Sequence, residues 1–305
     1  MNTVQPSAPA DDWTVRRVLE WTIGYLKQHG SESPRLDAEV LLAYAWGCPR
    51  ILLYTRYDDA LPPEIRSRMR DLVRRRAAAE PVAYLVGKRE FFSLDFEVTP
   101  AVLIPRPDTE TLIVEALALL KGRTAPQVLD LCTGSGCIGI SIARNARDSQ
   151  VTAIDISPEA IAVAQRNADR LQVADRVRFL TGDLFAPLSD GTKFDVIVTN
   201  PPYVTTGELA GLSADVRLHE PHLALDGGVD GLDLLRTIIA TAPQFLVPGG
   251  WLYLECSPEQ VPAVIKLLEA TSSYVNIDAI RDLSQQPRVV RAQCPSPSHA
   301  DGIGS

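Results

Sequence analysis

An α/β fold is predicted for this chain: a doubly wound, mainly parallel seven-stranded sheet domain preceded by a small helical bundle and a β-hairpin linker. Three observations predict it. From Pro126 onward, short apolar runs alternate with helical segments, the pattern of a parallel sheet covered by helices on both faces. Between Trp13 and about Glu80, apolar residues recur at helical spacing. The length, 305 residues, suits one large domain or two ordinary ones.

Residues 1–11 read as a mobile polar tail. In the helical part, residues 12–80, Val15, Val18, Leu19, Trp21, Thr22, Ile23 and Leu26 place apolar groups at helical spacing, ending near Gly30. Leu36, Val40, Leu41 and Tyr44 repeat the pattern up to Gly47, and Ile65, Met69, Leu72 and Val73 follow Pro62 and Pro63, placed where a helix begins. This part has no catalytic cluster and reads as a recognition or support domain. Residues 81–107 are the linker, with Tyr84–Val86 and Phe91–Val98 as the arms of a β-hairpin. Asp108 is placed as the N-cap of a helix running to about Leu120. The sheet domain, residues 108–293, carries strands at 128–131, 151–156, 177–181, 194–199, 250–256, 274–281 and 287–293. Helices fall at 138–146, 158–171, 232–245 and 258–270, the second capped by Ser157 ahead of Pro158. Residues 294–305 read as a second polar tail.

Composition narrows the function classes. Hydrophobic residues make up 46% and charged residues 22%, the balance of a globular protein. No apolar run is long enough to span a bilayer, and Met1–Trp13 has neither a basic n-region nor an apolar h-region. The expected location is therefore the cytoplasm. Five scattered cysteines without a Cys-x-x-Cys pair predict free thiols and no structural zinc. The proline between His219 and His222 breaks the one local histidine pair, so no metal is expected. A net charge of -8 speaks against a protein that lives on phosphate contacts. The arginine run from Arg66 to Arg76 reads either as a solvated helix face or as a dock for an acidic partner.

Three features point to an adenosine-type cofactor. The first is the loop Cys132, Thr133, Gly134, Ser135, Gly136 after the first strand of the sheet domain, where glycines let a ligand approach the backbone. It is no Walker loop, because no Gly-Lys-Ser/Thr follows. The second is Asp155, at the end of the next strand and about twenty residues on, where a carboxylate accepts ribose hydroxyls. The third is the Asp183–Leu184 pair after strand three, with Asp183 as an acceptor for an adenine amino group and Leu184 or Phe185 as a cover for the ring. A nicotinamide enzyme would satisfy all three.

Asn200-Pro201-Pro202-Tyr203, at the end of strand four, separates the two. An amide or aryl amine nitrogen is a poor nucleophile, so the task is to aim it in line with an electrophile. The Asn200 side-chain oxygen and a carbonyl of the rigid Pro201–Pro202 pair can hold the two N–H protons, and Tyr203 can stack on the planar group. These acceptors grip harder as positive charge grows on nitrogen. Methyl transfer from S-adenosylmethionine to a planar nitrogen is the chemistry this pattern serves. Peptide amides and nucleic-acid base amines (adenine N6 or guanine N2) are the alternative acceptors.

From about Pro81 to Arg291 the sequence resembles the HemK/PrmC family of protein-(glutamine-N5) methyltransferases. The resemblance rests on Tyr84–Gly87 with Glu90–Phe92, on Leu103-Ile104-Pro105-Arg106-Pro107-Asp108-Thr109-Glu110, and on the Gly134–Gly136 loop. Asp155–Ser157, Asn200–Tyr203, and Glu220-Pro221 through Gly227-Gly228 to Asp230-Gly231-Leu232 complete it. The Ile-Pro-Arg-Pro-Asp-Thr-Glu block favours the release-factor enzymes over their ribosomal-protein relatives. The resemblance implies a seven-stranded S-adenosylmethionine methyltransferase domain that modifies the glutamine of the Gly-Gly-Gln loop in class 1 release factors. It implies that Asn200, Pro201, Pro202 and Tyr203 bind that glutamine, and that Phe91 and Arg106 line or brace the site. Cys132, Thr133, Gly134, Ser135, Gly136, Asp155, Asp183, Leu184 and Asn200 would contact the cofactor. A monomer with no stable nucleic-acid or membrane partner is expected. The chain departs from the family at Cys132, where glycine is usual, at Cys256-Ser257, where Ile-Gly is usual, and in the tail after Gln293. Gly134 and Gly136 are expected to make the Cys132 departure harmless.

Overall fold

The computed structural model describes residues 13–296. The tail expected at 1–11, and that at 294–305 beyond Ser296, lie outside the described residues. By internal packing the chain divides into two compact units, one of residues up to Gly87 together with Ala214–His219, the other of Lys88–Ser213 and residues from Glu220 on.

The smaller unit is helical. α1 (Val15–Gln28) starts at Thr14, whose hydroxyl accepts from the Arg17 amide, and buries Val15, Val18, Leu19, Thr22 and Leu26. α2 (Pro34–Trp46) has proline in its first turn and stops at Gly47, left-handed at φ 70°. α3 (Leu52–Thr55) is a single turn, and α4 (Pro63–Ala77) buries Met69, Leu72 and Val73. Three of the α4 arginines are held inside this unit: Arg76 pairs with Asp37 at 2.8 Å, Arg75 with Glu80, and Arg74 with Asp71. α5 (Val82–Val86) corrects one expectation. Tyr84–Val86 is not a hairpin arm. Pro81 opens a helical turn there, left-handed Gly87 closes it, and Leu85 is buried in the helical core. Burial against the bundle overrides a β-favouring composition.

The larger unit opens with the hairpin β1 (Lys88–Phe91) and β2 (Leu94–Glu97), turned by Phe92 and Ser93, both at positive φ. A 3-10 turn, Pro107–Thr109, then runs into α6 (Glu110–Leu120). Asp108 does not cap that helix. It lies inside the turn and pairs with Arg288 at 3.1 Å, while the Thr109 amide donates to the Arg106 carbonyl. The alternating part follows: β3 (Gln127–Leu131), α7 (Cys137–Asn145), β4 (Gln150–Asp155), α8 (Pro158–Arg170), β5 (Val177–Thr181) and β6 (Phe194–Thr199). After α9 (Ala214–His219), which groups with the helical unit, come α10 (Asp233–Thr241), β7 (Leu246–Glu255), α11 (Val261–Ala270), β8 (Val275–Arg281) and β9 (Pro287–Gln293). Ser157 caps α8 by accepting from the Ala160 amide.

The seven strands stand in the order β5-β4-β3-β6-β7-β9-β8, parallel from β5 to β7, with β9 antiparallel to both neighbours. The doubly wound sheet is the predicted one. Successive side chains feed opposite faces: Leu129, Leu131, Ile197, Leu252 and Leu254 enter one core, and Val128, Val196, Val198 and Tyr253 the other. The hairpin is anchored on α8. The Glu97 amide donates to Asn167 Oδ1 at 2.7 Å, and Arg166 pairs with the Glu97 carboxylate. Among the described residues, no helix is long and apolar enough to cross a membrane.

Candidate active site

β3 has β4 on one side and β6 on the other, so the direction of winding reverses at β3. A crevice opens at the carboxyl ends of strands at such a point. Here it is a cleft lined by the loops that follow β3, β4, β5 and β6. Cys132, Thr133, Gly134, Ser135, Asp155, Asp183, Leu184, Asn200, Pro202 and Arg106 all line it. Their sequence positions span almost a hundred residues, and the parallel strand ends bring them together.

On the cofactor side, Asp155 organises the glycine loop. Its Oδ2 accepts from the Gly134 amide at 2.8 Å and its Oδ1 from the Ser157 amide at 3.0 Å. Burial raises its pKa, and those amides act against the rise. A carboxylate has about four lone-pair sites, so Asp155 retains acceptor capacity for a ligand hydroxyl. Gly136 does not line the cleft. It opens α7 at φ 81°, and a Cβ there would come within 2.6 Å of Ile140. Cys132 sits at φ 57°, a left-handed conformation that costs a residue with a Cβ about 1–2 kcal/mol. The expectation that the cysteine is harmless overlooked this backbone. Leu184 lines the cleft, whereas Phe185 does not and stacks on Phe245 with centroids 4.9 Å apart.

Beneath the loop lies Asp130, fully buried. Its Oδ2 accepts from Thr133 Oγ1 at 2.6 Å and from the Gly139 amide at 2.9 Å, while Oδ1 has no partner. Burial pushes its pKa up to about 7. Asp130 was not singled out from the sequence, although an acid inside an apolar strand was the available signal.

On the transfer side, Asn200 follows β6, and its Nδ2 donates to Thr109 Oγ1 at 3.2 Å. The loop behind it is clamped from three directions. Gln260 Nε2 donates to the Tyr203 carbonyl at 2.8 Å. The Val204 amide donates to the Leu225 carbonyl and the Gly227 amide to the Val204 carbonyl. A Cβ on Gly227 would approach the Pro202 carbonyl oxygen to 2.7 Å, and one on Gly231 would collide with the Tyr203 carbonyl. Pro201 is buried, and neither it nor Tyr203 is part of the cleft lining. Burial, aided by the Glu255 carboxylate, pushes the Tyr203 phenol up to about 12, so it stays protonated.

Arg106 also lines the cleft. Its Nη2 bonds Glu220 Oε1 at 2.5 Å, and the other Glu220 oxygen accepts from the Ile104 amide. Glu220 is 4% exposed, so this pair is a fixed brace. Phe91 takes no part in the cleft. It is a core residue at 2% exposure, edge-on to Phe96. Of the support residues, Thr109, Glu220, Gly227 and Gly231 stood in the blocks that carry the resemblance. Gln260 had no sequence signal.

With this geometry in hand, comparison with known proteins is direct. The family described as "PrmC N-terminal domain" matches residues 17–87, and "Methyltransferase small domain" matches residues 108–216. A release factor glutamine methyltransferase of Geobacter sulfurreducens is 48% identical over 259 residues, covering 85% of this chain and 89% of that protein. Its counterpart in Rhodopirellula baltica is 45% identical over 285 residues, covering 92% and 96%. Among solved structures, the hMettl16 catalytic domain in complex with the MAT2A 3'UTR hairpin 6 superimposes with a TM-score of 0.53 at 15% identity, over 72% of this chain and 81% of that one; the likeness is one of fold. The family matches and the near full-length identities agree with the site at the switch point: this chain belongs to the release factor glutamine methyltransferases.

Proposed function

We propose that this methyltransferase transfers the methyl group of S-adenosylmethionine to the N5 amide nitrogen of the glutamine in the Gly-Gly-Gln segment of class 1 release factors. The observation that carries the reading is Asn200 on the cleft wall with its Nδ2 engaged by Thr109, which leaves Oδ1 as the end offered to a ligand. A carboxamide nitrogen presents two N–H donors, and Oδ1 with a main-chain carbonyl of Pro201 or Pro202 supplies two acceptors. The clamp on residues 202–204 fixes those acceptors before the substrate arrives, so little reorganisation is needed as charge develops on nitrogen.

The donor set suits S-adenosylmethionine: a carboxylate, Asp155, at the end of β4, an open turn at Gly134 where a Cβ would meet nothing within 4 Å, and the apolar faces of Leu184 and Ile156 on the cleft wall. When bound, this cofactor supplies an electrophilic methyl. Asp155 would hold its ribose hydroxyls and Asp183 its adenine amino group. No side chain here is poised as a strong base, and none is needed, since the amide proton becomes acidic only after transfer.

The test is transfer of labelled methyl from S-adenosylmethionine to purified release factors, with the loop glutamine intact and replaced. Label confined to the intact protein is the expected result. Label that enters nucleic acid and neither release factor would sink the reading.

A further inference from the structure

We infer that Gln260 is a positioning residue for methyl transfer, acting through the Tyr203 carbonyl on the segment that presents Asn200. The inference rests on the function proposed above and names the side chain that sets how that segment is held.

The Gln260 carboxamide ties together separate stretches of the larger unit. Its Oε1 accepts from the Ser257 amide at 3.1 Å, just past the end of β7. Its Nε2 donates to the Tyr203 carbonyl at 2.8 Å, and lies 3.3 Å from the Gly231 carbonyl and 3.4 Å from that of Asp230. All these partners are main-chain groups of fixed role, an N–H on one side and carbonyls on the other. The carboxamide therefore has a single orientation that satisfies them. The main chain of Gln260 is itself fixed. Its amide donates to the Ser257 carbonyl, and its carbonyl accepts from the Ala263 and Val264 amides in the first turn of α11. A glycine makes room for the group. Gly231 stands at φ 72°, and a Cβ there would overlap both Gln260 Nε2 and the Tyr203 carbonyl oxygen.

This arrangement bears on the reaction through the backbone. Tyr203 is joined to Asn200 by Pro201 and Pro202. Proline fixes φ, so few torsions remain to absorb a shift at the Tyr203 carbonyl before it reaches the Asn200 side chain. The Val204 contacts to Leu225 and Gly227 are main chain to main chain. Gln260 is the side chain that grips the carbonyl of the motif itself. The place calls for a group that accepts on one side and donates on the other. Glutamine does both. Glutamate, of the same shape, would turn an oxygen toward carbonyls, and methionine would fill the space without a donor. Gln260 is not part of the cleft lining, so its effect on transfer runs through the main chain it holds.

The experiment measures kcat and KM for a release factor substrate at saturating S-adenosylmethionine. Wild type, Gln260→Met, Gln260→Glu, Asn200→Ala and the Asn200→Ala/Gln260→Met double variant are compared. Rates are expressed per S-adenosylmethionine-binding site, counted by calorimetry, so unfolded protein does not enter. Gln260→Glu and Gln260→Met are each expected to lose about tenfold to a hundredfold in kcat, with cofactor affinity near that of wild type. A side chain that only stabilised the fold would lower the number of binding sites and leave the rate per site unchanged. In the Asn200→Ala background, Gln260→Met is expected to cost less than in wild type, because part of what it positions is already gone. Full turnover per site by both Gln260 variants, or the same fold-loss in both backgrounds, overturns the inference while leaving the proposed function standing. A wild type that methylates no release factor overturns both.

Discussion

Asn200 bears the clearest consequence at the scale of one residue. Replacement by alanine removes one of the two acceptors proposed for the substrate amide but nothing that holds the glycine loop, which hangs on Asp155 and Asp130. Asn200→Ala is therefore expected to lower kcat by about 10²–10³, the range for removing one preorganised hydrogen-bond group, with the S-adenosylmethionine dissociation constant within a few-fold of wild type. Normal turnover would mean that the amide is held elsewhere. Cys132 makes a different kind of prediction, about strain. Glycine ordinarily destabilises relative to alanine by about 0.5–1 kcal/mol through backbone entropy. At φ 57° the order is expected to reverse, since the left-handed penalty of about 1–2 kcal/mol falls on any residue with a Cβ. Cys132→Gly is expected to be more stable than Cys132→Ala by up to about 1 kcal/mol, read from urea midpoints of the two variants. A less stable glycine variant would show that the turn relaxes when the thiol is removed.

At the scale of elements, the loop around Gly227 supports the Asn200–Tyr203 segment from behind, and a methyl group there has no room. Gly227→Ala must push against the Pro202 carbonyl oxygen at 2.7 Å or the Tyr203 Cα at 2.8 Å, both of them backbone. A displacement near 1 Å at a positioned nucleophile site costs on the order of a hundredfold in rate. The expected signature is a loss in kcat with cofactor affinity retained, since the Asp155 side of the cleft is untouched. Equal losses in both would place the damage in the sheet instead. The same contrast explains what was legible in the sequence. The strands were legible because each is a compact apolar run bounded by loop residues, and Asp155 and Asn200 because they sit in contiguous motifs at strand ends. Tyr84–Val86 misled because its composition favours strand while Pro81, left-handed Gly87 and the burial of Leu85 make it a helix. The Arg106–Glu220 brace joins residues 114 apart, and the Gln260 clamp on Tyr203 spans 57. Contacts of that range follow from topology, which no local pattern records. Phe91 lies inside a family block and so reads as a site residue, but its place there is explained by packing against Phe96.

For the whole molecule, the site leaves a mark on stability. Asp130 and Glu255 sit deep in the larger unit with pKa values pushed up to about 7, burial being the main cause for both. In the unfolded chain they titrate near ~4. Between those limits the folded state holds more protons than the unfolded one, so stability falls as pH rises. The contribution is fully present below about pH 4, where both states are protonated, and is lost as pH passes through about 7. Asp130→Asn removes one of these titrations while its side-chain oxygen can still accept from Thr133 and the Gly139 amide. Relative to this variant, wild type is expected to lose on the order of a few kcal/mol of stability between pH 4.5 and 7.5. Hydrogen exchange of the β3 and β6 amides, compared between the two proteins at each pH, isolates the larger unit from the helical one. A wild-type-to-variant difference that does not change with pH would mean that Asp130 is ionised throughout. The buried acid under the cofactor loop would then be held by its hydrogen bonds more strongly than burial opposes it.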